Sequence, residues 1–199
     1  MLKVLIATFI ILIVTGCTAV KPHISEYRIN PTLKPSNIEQ SQCNDKSLKV
    51  ARAFSSNSLM LIDMNYGIGE YKSDVFTQSQ WSQTPNRAIT AQILQMLQES
   101  KLFKSVQIAN SRSKSGLILE TNIEDFMQYF SIDQKKSFVN VKIDNTLLDA
   151  KTNAVLDSKT FVKSIAVESL NAEGGVIALN AALSEVLMMQ REWLGEVCK

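Results

Sequence analysis

The most reactive side chains of this 199-residue chain are three cysteines and one histidine. Cys17 follows the small residues Thr15 and Gly16, at the end of a short apolar run that begins after Lys3. A cysteine thiol in this position can accept a diacylglyceryl chain, and the small residues before it let a peptidase reach the backbone. The spacing therefore predicts cleavage before Cys17 and acylation of its thiol.

The apolar run over residues 4–14 has the length of a secretory signal, whereas a membrane-spanning helix needs about 20 apolar residues. Together with Cys17 it resembles the lipobox of bacterial lipoproteins. We therefore expect residues 1–16 to be a signal peptide, residues 17–25 a lipidated tether, and residues 26–199 a single domain. An ordinary cleaved signal that merely ends near Cys17 stays open as the alternative.

Acylation would fix the cellular location of the chain. Two or more acyl chains, palmitate among them, bury methylene groups at about 0.8 kcal/mol each and hold an N-terminal cysteine at a membrane. The residue after Cys17 is Thr18, whereas an Asp there would favour retention at the inner membrane. The expected location is the periplasmic face of the outer membrane.

The other two cysteines, Cys43 and Cys198, remain as an even pair in a compartment that permits disulfides. A bond between them would contribute about 3 to 5 kcal/mol in the chain-entropy model, because it closes a very long loop. Two unpaired thiols are the alternative.

The remaining titratable residues show no pattern typical of catalysis. His23 is the only histidine and lies in the expected tether, with no second histidine or cysteine pair at the spacing of a metal site. Glu120 and Glu124 would share the solvent face of a strand, next to Asp125, and solvation explains them better than acid–base catalysis does. Motifs for a nucleophile elbow, a zinc-binding helix or a phosphate loop do not occur. We expect no catalytic residue, no metal and no cofactor.

Neither charge nor aromatic residues identify a partner. The chain has 21 Lys and Arg against 19 Asp and Glu, without a run long enough to bind a polyanion, so we expect no nucleic-acid binding. The aromatic residues fit either the core or an exposed partner surface. They are Trp81, Phe126, Tyr129, Phe130 and Trp193.

Two amphipathic helices are predicted. Thr84 and Pro85 are typical of a helix start, and apolar residues then recur every four positions to about Ser100. Asn171 is the expected cap of a second helix, which runs from about residue 172 to 197. Its early glycines favour either a close approach to the sheet or a frayed start.

Period-two alternation predicts the strands. Short ones are expected at 26–30, 48–54, 59–66 (with a helical turn first as the alternative), 70–77 and about 105–109; longer ones follow at 116–130, 136–149 and 154–168. Polar turns separate the three long strands, which predicts an antiparallel meander. The fold class is therefore α+β, a largely antiparallel β-sheet with two main helices packed on one face.

Several short motifs follow the lipobox in a fixed order. They are Tyr27-Arg28-Ile29, Leu48-Lys49-Val50, Trp81 with Pro85, the run from Ser100 to Val106, Leu147-Leu148-Asp149, Val155-Leu156 to Phe161, the glycines of the last helix and Trp193. This order resembles the ABC-type transport auxiliary lipoproteins, a PqiC-like family. The chain departs from the family pattern at Lys101, where the family commonly has Gly. This difference concerns the backbone geometry of that turn and not the fold.

The resemblance implies a non-enzymatic subunit that works with an ABC permease and ATPase and with a protein carrying a mammalian-cell-entry (MCE) domain. Such a system moves phospholipids or other hydrophobic molecules across the periplasm. Its ring-shaped MCE partners would also fit a homo-oligomer. Two alternatives stay open: a structural or chaperone-like lipoprotein of another cell-envelope assembly machine, and a lipid-anchored hydrolase.

Overall fold

The computed structural model describes residues 23–33 and 43–198, so Cys17 and the predicted signal peptide lie outside the described residues. The described chain forms nine strands, two α-helices and one 3-10 helix. The strands are β1 (Ser25–Tyr27), β2 (Ser47–Val50), β3 (Phe54–Ser55), β4 (Asp63–Ile68), β5 (Lys72–Trp81), β6 (Ser105–Ile108), β7 (Leu117–Phe130), β8 (Ser137–Asp149) and β9 (Val155–Ala166). The helices are the 3-10 helix Asn57–Met60, α1 (Pro85–Ser100) and α2 (Ala172–Val197).

The central strand of the sheet is β7. On one side it pairs along its whole length with β8, which pairs in turn with β9, and both ladders are antiparallel. This confirms the predicted meander. On the other side the short strands β2, β3 and β4 follow one another along β7, all parallel to it. The sheet is therefore mixed, and the fold class is α+β as predicted.

The predicted strand over residues 48–54 is divided in two. β2 ends at Val50 and β3 begins at Phe54. Between them the backbone N–H of Ala53 donates to the side-chain oxygen of Thr90 in α1, at 2.9 Å, instead of to a strand. The hydroxyl of Thr90 thus accepts a backbone hydrogen bond that a neighbouring strand would otherwise accept. The alternation of apolar residues in the sequence does not reveal this interruption.

The hydrophobic core lies between one face of the sheet and both helices. Alternate residues of β8, among them Val139, Val141 and Ile143, are fully buried, and their neighbours are partly exposed. The helices cover this face with side chains that are almost completely buried, namely Ile89, Ile93, Leu97, Leu183, Leu187 and Leu194. Burial of such a side chain stabilises the fold by about 1.5 to 3 kcal/mol.

Both helices begin where the sequence predicts, but their caps differ. The side chain of Asn171 accepts a 2.8 Å hydrogen bond from the backbone N–H of Gly174. The hydroxyl of Thr84 instead donates to the side chain of Asn86. α1 ends at Ser100, and the next residue, Lys101, has a φ of 57°, in the left-handed region. Lys101 therefore adopts a backbone conformation that costs glycine little but is unfavourable for a residue with a Cβ atom.

The start of α2 packs closely against the sheet. A Cβ added at Gly175 would collide with the side-chain oxygen of Gln128 in β7, and one at Gly174 would collide with the backbone oxygen of Ser169. Of the two sequence-based alternatives for these glycines, close approach is therefore the correct one. α2 is the one helix among the described residues that is long and apolar enough to cross a membrane, and most of that stretch is buried inside the domain.

Candidate functional site

A disulfide joins Cys43, in the turn before β2, to Cys198 at the end of α2. The sulfur atoms are 2.06 Å apart, and both residues are buried. The bond spans 155 residues, and the chain-entropy model gives about 5 kcal/mol for a loop of that length. The N-terminal part of the domain is thus covalently attached to its last helix.

The segment before this disulfide is attached to the domain by hydrogen bonds. β1 pairs with β5 in parallel, with Ser25 opposite Ser79. Beyond β1, the backbone N–H of Asn30 donates to the side chain of Asn180 in α2, at 2.6 Å. The backbone oxygen of Thr32 accepts from the hydroxyl of Ser184, one turn further along α2. Residues 25–32 are therefore held against the sheet and α2, which sets where the predicted lipid anchor joins the domain.

The acidic cluster Glu120, Glu124 and Asp125 lies on the face of the sheet opposite the helices, here called the open face. A β-bulge separates Ile123 from Asp125, and the buried positions of β7 change there from odd to even numbers. The bulge places both Glu124 and Asp125 on the open face. Glu124 forms an exposed ion pair with Lys142, at 3.0 Å.

Asp125 is the centre of a hydrogen-bond network on the open face. One of its oxygens accepts from the hydroxyl of Tyr129 and from the side-chain amide of Asn140, each at 2.8 Å. The hydroxyl of Ser164 donates to the oxygen of Asn140, at 2.7 Å, so the network spans three strands. Burial raises the pKa of the Asp125 carboxyl, and the two hydrogen bonds oppose this shift.

This network is suited to holding strands together. Burial and the nearby Asp125 carboxylate raise the pKa of the Tyr129 hydroxyl well above its ordinary value, so Tyr129 stays a hydrogen-bond donor. Its ring stacks on Phe138, with centroids 5.3 Å apart, and lies so close to Gly67 that a Cβ there would be 2.6 Å from a ring carbon. The carboxylate oxygen of Asp125 accepts from Tyr129 and Asn140, and the amide oxygen of Asn140 accepts from Ser164.

Most of the aromatic residues named in the sequence analysis belong to the core. Trp81 contacts Phe126 with ring centroids 5.7 Å apart, and both are buried. The indole N–H of Trp193 donates to the Asp157 carboxylate, at 2.7 Å, and its ring contacts Phe161. Of the alternatives left by the sequence, Trp81, Phe126 and Trp193 take the core role, and Phe130 is buried as well. Tyr129 lies on the open face.

A groove of about 750 Å³ lies at one end of the sheet, here called the hairpin end. It is lined by Gly69 and Glu70 at the tip of the β4–β5 hairpin, by residues of the β7–β8 hairpin tip, 131–136, and by the end of β9 with the chain after it, residues 166–170. Tyr71 and Ile132 stand almost fully in solvent at these tips, 95% and 86% exposed. Sequence reasoning missed this surface, although an isoleucine within a polar turn was a signal for it.

The structure places the predicted site residues apart from one another. The Cys43–Cys198 bond and the acidic cluster are separate, His23 is exposed, and Cys17 lies outside the described residues. Among residues 23–33 and 43–198, no group of three His, Cys, Asp or Glu residues is close enough to hold a metal ion.

No family model and no curated protein matches the chain. Its fold is similar to the crystal structure of protein XCC0632 from Xanthomonas campestris, described with the family DUF330. The TM-score is 0.77 at 16% identity, over 87% of this chain and 96% of that chain. An uncharacterized protein has a TM-score of 0.65 at 12% identity, over 86% of this chain and 98% of its own.

The PelC dodecamer from Paraburkholderia phytofirmans is more remote, with a TM-score of 0.44 at 13% identity over 74% of this chain and 87% of PelC. At these identities the first two similarities show a shared fold. The shared fold extends over 96% of XCC0632 and 98% of the second solved chain.

Proposed function

We propose that this protein is a non-enzymatic lipoprotein subunit of an ABC/MCE-type transport system that moves phospholipids or other hydrophobic molecules across the periplasm. It would be anchored to the periplasmic face of the outer membrane through acylated Cys17. The observation that carries the proposal is the short distance in sequence between this lipobox cysteine and Ser25, where the chain joins the sheet. The domain would therefore work next to a lipid surface.

The tether limits how far the domain can move from that surface. Ser25 lies eight positions after Cys17 in the sequence, and a fully extended chain spans at most about 3.6 Å per position, so the reach is about 29 Å. Residues 25–27 are held by β5, Asn30 is held by α2, and Cys43 is held by the disulfide. Such an arrangement suits an adaptor that holds a membrane-spanning assembly in place.

The groups that could perform chemistry support the non-enzymatic part of the proposal. Asp125 and Tyr129 are hydrogen-bonded to each other on the open face, Glu124 is paired with Lys142, and Asp157 accepts from Trp193. These carboxylates are hydrogen-bonded or ion-paired to side chains of the sheet or of α2. A hydrolase would instead need a nucleophile and a base converging on one pocket.

The assignment of ABC and MCE partners is based on the order of the sequence motifs. Crosslinking in intact cell envelopes tests this assignment directly. The full-length protein carries a C-terminal affinity tag and is isolated under denaturing conditions after crosslinking. We expect an MCE-domain protein or the transporter permease among the covalent products. A Cys17→Ala variant controls for partners that are recovered without membrane attachment.

Two results would contradict this assignment. Recovery of a different envelope complex, without MCE or permease subunits, would favour the alternative of a structural or chaperone-like lipoprotein. Equal recovery of the same partners with Cys17→Ala would show that the anchor does not matter for their assembly.

A further inference from the structure

The hairpin end differs from the rest of the described surface because its apolar side chains project from loops. Tyr71 and Ile132 are the most exposed large hydrophobic residues of the described chain. The two tips are in contact: the N–H of Gly69 donates to the oxygen of Phe130, at 3.0 Å, and the side chain of Ile132 lies over Gly69. Leu170, 45% exposed, adds to the same apolar patch beside the groove.

The charges at this end balance. Lys72, Lys135 and Lys136 are matched by Glu70, Asp133 and Glu168. The two ion pairs of the described residues, Lys142–Glu124 and Lys163–Glu185, involve none of these six. The patch therefore combines apolar side chains with charges of both signs that form no ion pair with one another. This pattern matches a phospholipid surface, in which each zwitterionic headgroup presents both signs above an apolar interior.

The direction of β1 leads the chain before Ser25 toward this end. β1 runs parallel to β5, and β5 begins at Lys72, directly after the tip that carries Tyr71. Ser25 is opposite Ser79, seven residues from Lys72, which is at most about 24 Å along a strand. The tether from Cys17 reaches about 29 Å, so an anchor on Cys17 and the two tips can meet one membrane surface.

We propose that the hairpin end is a second membrane contact, in which Tyr71 and Ile132 enter the interface of a phospholipid bilayer beside the acyl anchor. The proposal rests on the lipid anchor of the proposed function and adds a fixed orientation to it. Tyrosine is enriched at the membrane interface, where its ring is buried and its hydroxyl stays hydrated. The opposite end of the sheet, at Val155, then points away from the membrane.

Depth-dependent fluorescence quenching tests this orientation. The full-length acylated protein is reconstituted into phosphatidylethanolamine and phosphatidylglycerol vesicles that contain phospholipids with brominated acyl chains. Tryptophan is introduced by Ile132→Trp or Tyr71→Trp. The matched control is Val155→Trp, which is also an exposed apolar position, about 40 Å away along the 13-residue strand β8.

We expect Ile132→Trp and Tyr71→Trp to lose about one third of their total emission in brominated vesicles, the share of one tryptophan in three. Val155→Trp and the unsubstituted protein should lose almost none, since Trp81 and Trp193 are buried. Because the charges at the hairpin end balance, the loss should not depend on the fraction of phosphatidylglycerol.

Three results would overturn the proposal. If Val155→Trp is quenched as strongly as Ile132→Trp, the domain has no fixed orientation. If no variant is quenched although all float with the vesicles, the hairpin end faces another partner, such as a protein or a second copy of this chain. If a brominated lysolipid below its micelle concentration quenches Ile132→Trp without vesicles, the groove takes single lipids. Failure of the unsubstituted protein to float would instead refute the acyl anchor itself.

Discussion

A single methyl group at Gly175 should destabilise the protein measurably. In Gly175→Ala the added Cβ would occupy the position of the side-chain oxygen of Gln128, which is 2% exposed. The amide of Gln128 donates to Ser137, at 2.9 Å, so the side chain cannot move without losing that hydrogen bond. The collision is therefore with a group that is held in place.

The magnitude follows from three opposing contributions. Overpacking a well-packed core costs about 1 to 3 kcal/mol, and losing a buried hydrogen bond costs about 1 to 3 kcal/mol. Replacing glycine by alanine inside a helix returns about 1 kcal/mol. We therefore expect Gly175→Ala to lower the free energy of unfolding by about 1 to 5 kcal/mol, with a midpoint of about 3 kcal/mol.

Urea denaturation of the purified mature protein, followed by circular dichroism, measures this change. Gly116→Ala is the matched control, because no atom lies within 4 Å of its added Cβ and it should be neutral or slightly stabilising. In a double-mutant cycle, Gln128→Ala removes the colliding side chain, so Gly175→Ala should cost much less in that background. Equal stability of Gly175→Ala and Gly116→Ala would refute the close packing of α2 on the sheet.

Four further predictions concern the anchor, the disulfide, the turn after α1 and pH. Thr18→Asp should move the lipoprotein to the inner-membrane fraction in a density gradient, whereas Thr18→Ser should leave its distribution unchanged. Replacing both bonded cysteines, beginning with Cys43→Ser, should lower the free energy of unfolding by about 3 to 5 kcal/mol, and mass spectrometry after thiol blocking should find no free thiol at either position in the native protein. Lys101→Gly should raise the free energy of unfolding, measured by urea denaturation, by about 0.5 to 1 kcal/mol, because φ at this residue is 57°. An unchanged free energy of unfolding would argue against the left-handed turn. The folded-state pKa of Asp125 is raised above 3.8, so its contribution to stability falls as pH rises through the folded-state value; Asp125→Asn should remove this slope in denaturation curves measured across that range.

Local sequence patterns predicted the elements whose contacts are close along the chain. Thr84 and Pro85 mark the start of α1, and the turns near Gln134 and Asn153, both with positive φ, separate the meander strands as expected. Pairing between neighbouring strands follows from such short turns, because the chain has little freedom between them. The α+β class was predictable for this reason.

The features that sequence reasoning missed depend on distant residues. The parallel positions of β2, β3 and β4 along β7 are set by packing across the sheet, since no short turn connects those strands to it. The bulge beside Asp125 leaves no trace in the alternation until the buried positions of β7 are known. The hairpin end requires two tips that are far apart in sequence to meet. Acylation of Cys17 and the transport partners stay predictions.

The disulfide also determines how the domain would respond to mechanical load. A pull on the anchor would first shear the parallel β1–β5 pair and then detach the segment that is bonded to Asn180. Unravelling would stop at Cys43, because the force would then pass directly into Cys198 and bypass the sheet between them. Single-molecule pulling between the N-terminal anchor and the C-terminus should therefore release only the 18 positions between Ser25 and Cys43, about 60 Å of chain, until a reductant is added. The crosslink would let a lipoprotein attached to a moving membrane absorb tension without unfolding its core.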